Sequence, residues 1–298
     1  MPGLTGKKPE KILPNKKRIL CIMDYQKREI LSLLALLDDE DIPASYAMAE
    51  LLQRQSPDLL QAICEHQGCS NPRLRKRIHQ LESIIMRQSK RKELQYNLTH
   101  DSMDLLKGCL KLHLNLFEND SEQKILRQWE KLKNLYRSKH IHTLQEMAGF
   151  LQDQGFCCKA YDEFCDEHYC IGHVLEKRTG SDLMLSVIAC LLAEDMPRYW
   201  HVAFYGGYLG FSNHLDGVIF PSLNWQHVPR TEYEHNCTPW SHREIFRFIA
   251  AKLYFCAVGS GIFRNVYTQG LNMAAIAGTN DISQILPYIN NAQHLSKK

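Results

Sequence analysis

The feature that most constrains the fold is an apolar run in the second half of the chain. "LMLSVIACLLA" (residues 183–193) has the length of a helix, and its single serine leaves it without a polar face. A helix without a polar face is stable only when other elements cover it on every side. The run is also shorter than the roughly 20 apolar residues that cross a membrane. We therefore predict a helix from about Asp182 to Ala193 that is buried in the centre of a domain.

Strand-like segments follow this helix. Residues 200–204, 208–211 and 218–220 are rich in aromatic and β-branched side chains, and the turn sequences "GG" and "SNHLDG" separate them. From Ser241 onward apolar residues return to helical spacing, and Ser241 is the predicted N-cap. A central helix against a small antiparallel sheet, closed by C-terminal helices, is an α+β core.

The first part of the chain has a different pattern. In residues 27–85 short amphipathic segments alternate with "DDEDIP", "SPD" and "SNP". Pro43, Pro57 and Pro72 each fall in a predicted first helical turn, where the missing N–H does no harm. Helices of about three turns are unstable alone, so we expect them to pack against one another as in HEAT-like arrays.

Two longer helices are predicted after this region, one capped by Thr99 and one by Ser121. The basic residues 87–92 are expected to follow the helix before them, at its C-terminal end. These patterns divide the chain into four parts. They are a basic disordered tail (1–24), a HEAT-like helical region (25–95), a core (96–240) and a C-terminal helical region (241–298).

The composition is that of a soluble globular protein, with 44% hydrophobic and 23% charged residues in a chain of 298. The sequence has neither a membrane span nor a signal peptide, so we expect a cytoplasmic protein without a membrane partner. A net charge of +3 is too small to indicate nucleic-acid binding. The basic tail is interpreted as solvated, with RNA or DNA contact as the alternative. The eleven cysteines, an odd number at irregular spacings, are expected to be thiols without disulfides.

"CCKAYDEFCDEHYCIGH" (residues 157–173) concentrates four cysteines and two histidines. Cys165, His168, Cys170 and His173 are candidate zinc ligands, since tetrahedral sites use nitrogen and sulfur donors. Structural zinc sites usually join two short pairs across about a dozen residues, whereas these four side chains fall within nine. We therefore favour ordinary packing and no bound cofactor. A zinc site and a redox-active thiol cluster stay open as alternatives.

The segment "VLEKRTGSDLMLSVIACLLA" (174–193) places Val-Leu, basic residues, Gly and the buried helix in one order. In this order it resembles the bacterial SirB family of transglutaminase-like proteins. "GF" (155–156), "YGGYLGF" (205–211), "IFPSLN" (219–224) and "REIFRFIAAKLYFCAV" (243–258) are similar to family segments in the same order. The resemblance covers roughly residues 100–280 and implies a core related to papain and the transglutaminases.

The resemblance also implies a Cys at the start of the buried helix, a His on a strand and an acid after it. The matching positions hold Ser181 or Asp182, then Tyr208, or Gly207 one register away, then Phe220. Tyrosine has a pKa near about 10 and is not a base at neutral pH, and phenylalanine cannot orient one. The resemblance therefore implies a site that has lost its catalytic residues.

A second arrangement of catalytic residues is a pair of Ser181 and His201, with Asp216 as a distant third member. It rests on "WHVAF" (200–204), which resembles the His-containing strand of ordinary transglutaminases. Cys190 lies about two turns inside the buried helix, away from its exposed start. This pair would make the protein a hydrolase or acyltransferase.

Together these observations predict a predominantly helical α+β protein with a HEAT-like N-terminal region and a papain/transglutaminase-like core. We predict a non-catalytic protein-interaction or regulatory module, with the hydrolase or acyltransferase and a Cys/His metal or redox module as alternatives. The helical region is expected to pack onto the core and to bind a protein partner. Its acidic residues 38–41 and basic residues 73–77 are expected at separate points of the surface, with solvated helix ends as the other interpretation.

Overall fold

The computed structural model describes residues 27–54, 56–100, 102–159, 165–196, 200–213, 215–233 and 238–278. The predicted basic tail (1–24) lies outside these residues. The chain forms two compact units, residues 1–90 and 91–298, and the boundary between them falls inside one long helix. Among the described helices, none combines the length and the apolar character that a membrane crossing requires.

The first unit is entirely helical over its described residues. It contains α1 (residues 27–36), α2 (Asp41–Arg54), α3 (Pro57–His66) and the first part of α4 (Pro72–His100). Each of the three prolines lies in the first turn of its helix, as predicted. The helices bury one cluster of aliphatic side chains: Ile30, Leu33, Leu34, Leu37, Ala47, Leu51, Leu59, Ala62, Ile63, Ile78, Leu81 and Ile85.

Helix α4 is longer than the sequence predicted. The basic residues 87–92 lie inside it and do not follow its end. Thr99 is also inside α4, where its hydroxyl donates to the Gln95 carbonyl at 2.9 Å, so the prediction that Thr99 caps a new helix was wrong. The cap is Asp104, which accepts from the Lys107 N–H at 2.8 Å and begins α5 (Leu105–Leu116).

The acidic residues 38–41 and the basic residues 73–77 meet in the first unit. The Arg77 guanidinium donates to the carbonyls of Leu37 and Asp39, both at 2.7 Å, and to the Asp41 carboxylate at 2.6 Å. Three acceptors on one turn hold α4 against the connection between α1 and α2. The prediction that the two charged segments lie at separate points was therefore wrong for Arg77.

Helices make up the first half of the second unit. After α5 come α6 (Glu122–Arg137), α7 (Leu144–Asp153), α8 (Ile171–Lys177) and α9 (Asp182–Leu192). Ser121 caps α6 as predicted, and its apolar stripe of Ile125, Trp129, Leu132 and Tyr136 is buried. A parallel pair of short strands, β1 (Cys157–Cys158) and β2 (Thr179–Gly180), joins the end of α7 to the start of α9.

Helix α9 is the buried centre of this unit. Every residue from Leu183 to Leu192 is buried, which confirms the prediction from the apolar run. It packs against the β-sheet, mainly on β3 and β4, and it also contacts α5 and α8. These elements shield α9 from water on all sides, as a helix without a polar face requires.

A five-stranded antiparallel sheet covers α9. Its strands are β3 (Trp200–Tyr205), β4 (Tyr208–Asn213), β5 (Gly217–Phe220), β6 (Gln226–Pro229) and β7 (Thr238–Pro239), in the spatial order β6-β5-β4-β3-β7. The first three contain the predicted strands. The short helix α10 (Arg230–Tyr233) follows β6, and α11 (His242–Ser260) and α12 (Phe263–Ala277) end the described chain. The predicted α+β class is confirmed.

Candidate functional site

The first turn of α9 is the candidate site, and Ser181 is its N-cap. The Ser181 hydroxyl is buried and accepts from the Met184 N–H at 3.1 Å, while the Ser181 N–H donates to the His168 carbonyl at 3.0 Å. An N-cap side chain satisfies a helix N–H that has no intrahelical partner. The hydroxyl is thus held in place by the helix that it begins.

Asp182 is the first residue of α9 and lies against the sheet. Its carboxylate accepts from the Leu183 N–H at 2.7 Å and from the Leu209 N–H of β4. Burial raises the pKa of Asp182 above its usual range, although the two N–H donors and Lys252 of α11 oppose the shift. Desolvation disfavours the charged carboxylate, and here it outweighs the hydrogen bonds that favour it. Asp182 therefore fastens the start of α9 to β4.

The two faces of the sheet separate the remaining predicted site residues from α9. Val202, Leu209, Phe211 and Ile219 belong to the same core cluster as the α9 side chains. Side chains alternate between faces along a strand, so the neighbours of these residues point away from α9. Those neighbours include three predicted site residues, which are His201, Tyr208 and Phe220.

On the face away from α9, Phe220 joins a small second cluster with Ala203 and Val218. The Tyr208 ring meets the Phe220 ring edge-on with centroids 6.2 Å apart, and Tyr208 is 41% exposed. Gly207 lies in the turn before β4 with φ +89, a conformation that favours glycine. The structure therefore brings Tyr208 and Phe220 together, but on the opposite side of the sheet from Ser181.

His201 and Asp216 lie near the other end of the sheet. His201 pairs with Ser212, three residues along β4 from Leu209, and three strand residues span about 10 Å. Asp216 is in the turn after β4, where its carboxylate accepts from the Asn213 side chain at 2.9 Å. The predicted pair of Ser181 and His201 is therefore not formed. His201 lies further along the sheet, and its side chain is on the face away from α9.

Cys158 lies at the candidate site and was not predicted there. Its pairing with Gly180 in the β1–β2 ladder sets it beside the start of α9, and the Asp182 N–H donates to its sulfur. Burial raises the pKa of Cys158 to about 12, and the Asp182 carboxylate adds to the rise. The thiol is therefore protonated at neutral pH, whereas the nucleophile of a cysteine enzyme is the thiolate.

Aromatic side chains border the same turn. Phe204 stands opposite Leu209 in the β3–β4 ladder, and its ring stacks on Trp240 with centroids 6.3 Å apart. Trp240 contacts Phe248 of α11 at 5.4 Å, and the Lys252 ammonium lies 5.6 Å from the centre of the Phe248 ring. These contacts pack the end of β3 against the start of α11.

The four candidate zinc ligands of the alternative interpretation, Cys165, His168, Cys170 and His173, are not brought to one point. His168 lies in a 3₁₀ turn (Asp166–Tyr169), and Cys170 is the buried N-cap of α8 with its pKa raised well above the usual range by burial. His173 points instead toward α5. In the part of the chain that the structure describes, no group of three His, Cys, Asp or Glu residues could hold a metal, and no disulfide joins the cysteines.

His173 lies in a cluster that the sequence did not indicate. Its ring is 5.4 Å from that of His113 on α5, and its Nε2 is 3.8 Å from Asp120 Oδ2. His113 is fully buried, with Nε2 2.9 Å from the same carboxylate oxygen, and it fits only because Gly172 has no Cβ. Burial lowers the pKa of His113 to about 4, an effect that Asp120 opposes and His173 reinforces.

One family model matches the chain, that of the transglutaminase-like superfamily, over residues 116–197. The matched segment runs from the end of α5 past α9 and so includes Ser181, Asp182 and Cys158, while the strands that carry Tyr208 and Phe220 follow it. Searches of curated proteins and of solved structures return no significant match. The assignment to SirB proteins within this superfamily stays a prediction. The chain therefore contains a transglutaminase-like domain.

Proposed function

We propose that this protein is a non-catalytic, SirB-type transglutaminase-like protein that acts in the cytoplasm as a protein-binding or regulatory module. Its N-terminal helices serve as a HEAT-like arm in this proposal. The transglutaminase-like domain supplies the scaffold, and the first turn of α9 has a structural role in place of a chemical one.

One observation carries the proposal: the polar groups at the start of α9 are engaged in holding the fold. The Ser181 hydroxyl caps the helix, and the Asp182 carboxylate accepts from two backbone N–H groups. A serine nucleophile needs a base within hydrogen-bond reach, and a third group to orient that base. The side chains of His201 and Tyr208 both lie on the other face of the sheet.

A thiol hydrolase or acyltransferase that uses Cys158 is the second candidate. It is favoured by the hydrogen bond from the Asp182 N–H to the Cys158 sulfur, because a helix N-terminus stabilises an anion. Burial acts in the opposite direction and keeps the thiol protonated. We therefore rank this candidate below the non-catalytic one.

The test is labelling with a chloroacetamide probe at neutral pH, with every modified cysteine mapped by mass spectrometry. We expect slow labelling that follows exposure, so that Cys64 and Cys157 react before Cys158. A fluorophosphonate probe on the same sample reports on Ser181, and we expect no adduct there.

The matched variants are Cys158→Ser and Cys157→Ser. Fast labelling of wild type that only Cys158→Ser abolishes would overturn the proposal and favour the second candidate. A fluorophosphonate adduct on Ser181 that His201→Gln abolishes would instead support the pair predicted from the sequence. If every cysteine is labelled faster in the denatured chain than in the folded protein, the result supports a non-catalytic domain.

A further inference from the structure

We propose that α12 is a hinged helix that opens as one unit while α11 and the rest of the core stay folded. The hinge is Gly261 in the connection between the two helices, where the backbone is left-handed with φ +66, a conformation that favours glycine. This inference goes beyond the proposed function, because it concerns a movement of the fold and holds whether or not the domain is catalytic.

Helices α11 and α12 differ in the side chains that dock them. α11 places five side chains in the core cluster, which are Ile245, Phe246, Ile249, Ala250 and Leu253. Phe246 also lies against Gly108 of α5, where an added Cβ would be 2.1 Å from its ring. α12, which the structure describes over its whole length, places one buried side chain in that cluster, Ile276. Apolar burial therefore holds α11 more strongly than α12.

The buried face of α12 is polar. Gln269 and Asn272 are fully buried, and Thr268 is 5% exposed. The Asn272 amide donates to Asn115 of α5 at 2.9 Å and to the Gln269 side chain at 3.1 Å. Among the described residues, Gln269 Nε2, Asn272 Oδ1 and the Thr268 hydroxyl have no hydrogen-bond partner. A buried polar group without a partner costs free energy, and water satisfies that group once the helix opens.

The outer face of α12 carries its two aromatic side chains. Phe263 is 79% exposed and Tyr267 is 45% exposed, and their rings stack with centroids 6.4 Å apart. A packed helix is stabilised by apolar side chains on its buried face and polar ones on its outer face. The first half of α12 has the reverse arrangement, so docking gains little apolar burial there.

α12 is also weak as an isolated helix. It begins after Ile262, whose side chain cannot accept a hydrogen bond, whereas Ser241 and Glu244 form a capping box at the start of α11. Gly270 lies in the middle of α12, and an interior glycine weakens a helix. The free energy of docking therefore has to supply most of the stability of α12.

Polar contacts near the two ends of α12 hold it in the docked position. Arg264 in the first turn pairs with Glu118 at 2.5 Å, and Arg243 of α11 donates to the Ile276 carbonyl at 3.3 Å. The Arg264 side chain is 56% exposed, so water and salt weaken its ion pair. Few and weak contacts of this kind favour opening of the helix as one piece.

The test is native-state hydrogen exchange of the full chain, read residue by residue by NMR at low denaturant concentrations. We expect the amides of residues 267–277 to be protected at least about 100-fold less than those of residues 246–258, with one shared dependence on denaturant. Equal protection of the two helices would overturn the proposal. Protection that falls gradually toward Gly278 would overturn it as well, because it indicates fraying of a helix end.

Two variants change the docked state in opposite directions. Gln269→Leu removes the unpartnered Nε2 and adds apolar surface, so it should slow exchange throughout α12 by about tenfold. Asn115→Ala removes the bond to Asn272 and should speed that exchange by about fivefold. Neither variant should alter exchange in α11, and the control Asn134→Ala, at an exposed position of α6, should alter neither helix. If both variants left exchange in α12 unchanged, the amide contacts would not control its opening and the proposal would fail.

Thiol labelling gives a second measurement. Ala274 on α12 is 4% exposed and Ala250 on α11 is fully buried, so a cysteine at either position reacts when its helix opens. We expect a thiol reagent to modify Ala274→Cys at least about 100-fold faster than Ala250→Cys, with both sites mapped by mass spectrometry. Equal rates at the two positions would show that α12 opens only when the whole core unfolds, and the proposal would be wrong.

Discussion

The two units differ in what they bury. In residues 27–90 the buried side chains that the structure describes are apolar, whereas the described part of residues 91–298 also buries ten polar ones. These ten are His113, His168, Ser181, Ser186, His201, Ser212, Asn213, Thr268, Gln269 and Asn272. Burying a polar group costs free energy unless it is hydrogen-bonded. The described core of the first unit is thus held by apolar packing, with polar contacts such as those of Arg77 outside it, whereas polar contacts are part of the core of the second unit.

This difference teaches where each unit is vulnerable. In the second unit polar contacts fix helix starts and strand connections: Ser181 caps α9, Ser212 donates to the Gly217 carbonyl at 2.6 Å, and Asn272 donates to Asn115 at 2.9 Å. A satisfied polar network specifies one arrangement, and a broken one leaves a buried group without a partner. We therefore expect the first unit to respond mainly to lost volume and the second also to pH and to lost hydrogen bonds.

The largest effect is expected from Leu37→Ala in the first unit. Leu37 is fully buried in the aliphatic cluster, so the variant leaves a cavity and should lower the free energy of unfolding by about 4 kcal/mol. Its neighbour Leu36 is 36% exposed, and Leu36→Ala should cost less than about 1 kcal/mol. Hydrogen exchange of the amides in residues 27–90 measures both. Equal costs would show that this cluster does not hold the unit together.

The next effect is expected from Gly210→Ala in β4. A Cβ there would lie 2.2 Å from the Ile219 carbonyl oxygen, a backbone atom that cannot move without disturbing the sheet. We expect a loss of about 3 kcal/mol, measured by chemical denaturation. The control is Gly149→Ala on α7, where nothing lies within 4 Å, and it should stabilise the protein by about 0.5 kcal/mol. A neutral Gly210→Ala variant would contradict the close approach of β4 and β5.

The third prediction concerns pH. His113 has a folded pKa of about 4, against an ordinary value of 6.5, so the unfolded chain binds more protons between these limits. Stability should be intact above pH 6.5 and fall by up to about 3 kcal/mol as the pH drops toward 4. His113→Gln and His113→Leu should both flatten this decline. Denaturation at a series of pH values measures it, and an unchanged slope in both variants would remove His113 as the cause.

The smallest effect compares two helix caps. Ser181→Ala removes a buried cap of α9, and Ser56→Ala removes the half-buried cap of α3, whose hydroxyl accepts from the Leu59 N–H at 3.2 Å. We expect about 2 kcal/mol for Ser181, because water cannot replace the lost acceptor, and about 1 kcal/mol for Ser56. Threonine at each position should restore most of the loss. If Ser56→Ala lost more stability than Ser181→Ala, the expectation that the second unit depends more on polar contacts would be wrong.

Much of the fold was predictable from periodicity and caps. The burial of α9, the first three strands of the sheet and the caps Ser121 and Ser241 follow from patterns within one element. The prediction failed at α4, where "RQSKRK" suggested a helix end. Lys90 and Lys92 are exposed there, and beyond them Leu94 and Leu98 are buried in the core cluster of the second unit. The helix therefore continues past the basic residues because it still has apolar side chains to bury.

The candidate site was predictable only in part. The start of α9 at Ser181 and Asp182 was identified, but Cys158 was not. Cys158 reaches this site because β1 pairs in parallel with β2, about twenty residues further along the chain. The cluster of His113, Asp120 and His173 has the same origin, since its members come from α5, α8 and the segment between α5 and α6. No local pattern marks residues that become neighbours through packing.

By itself the sequence determined most of the helices, the three longest stretches of strand and the burial of α9, because hydrophobic period and capping groups act within a few residues of each other. The tertiary structure alone decided which elements cover α9, on which sheet face Tyr208 and Phe220 lie, and that Cys158 meets Asp182. Those outcomes depend on how distant segments pack, and many pairings satisfy the same hydrophobic pattern. Close packing around glycines such as Gly172 and Gly210 then selects one of them.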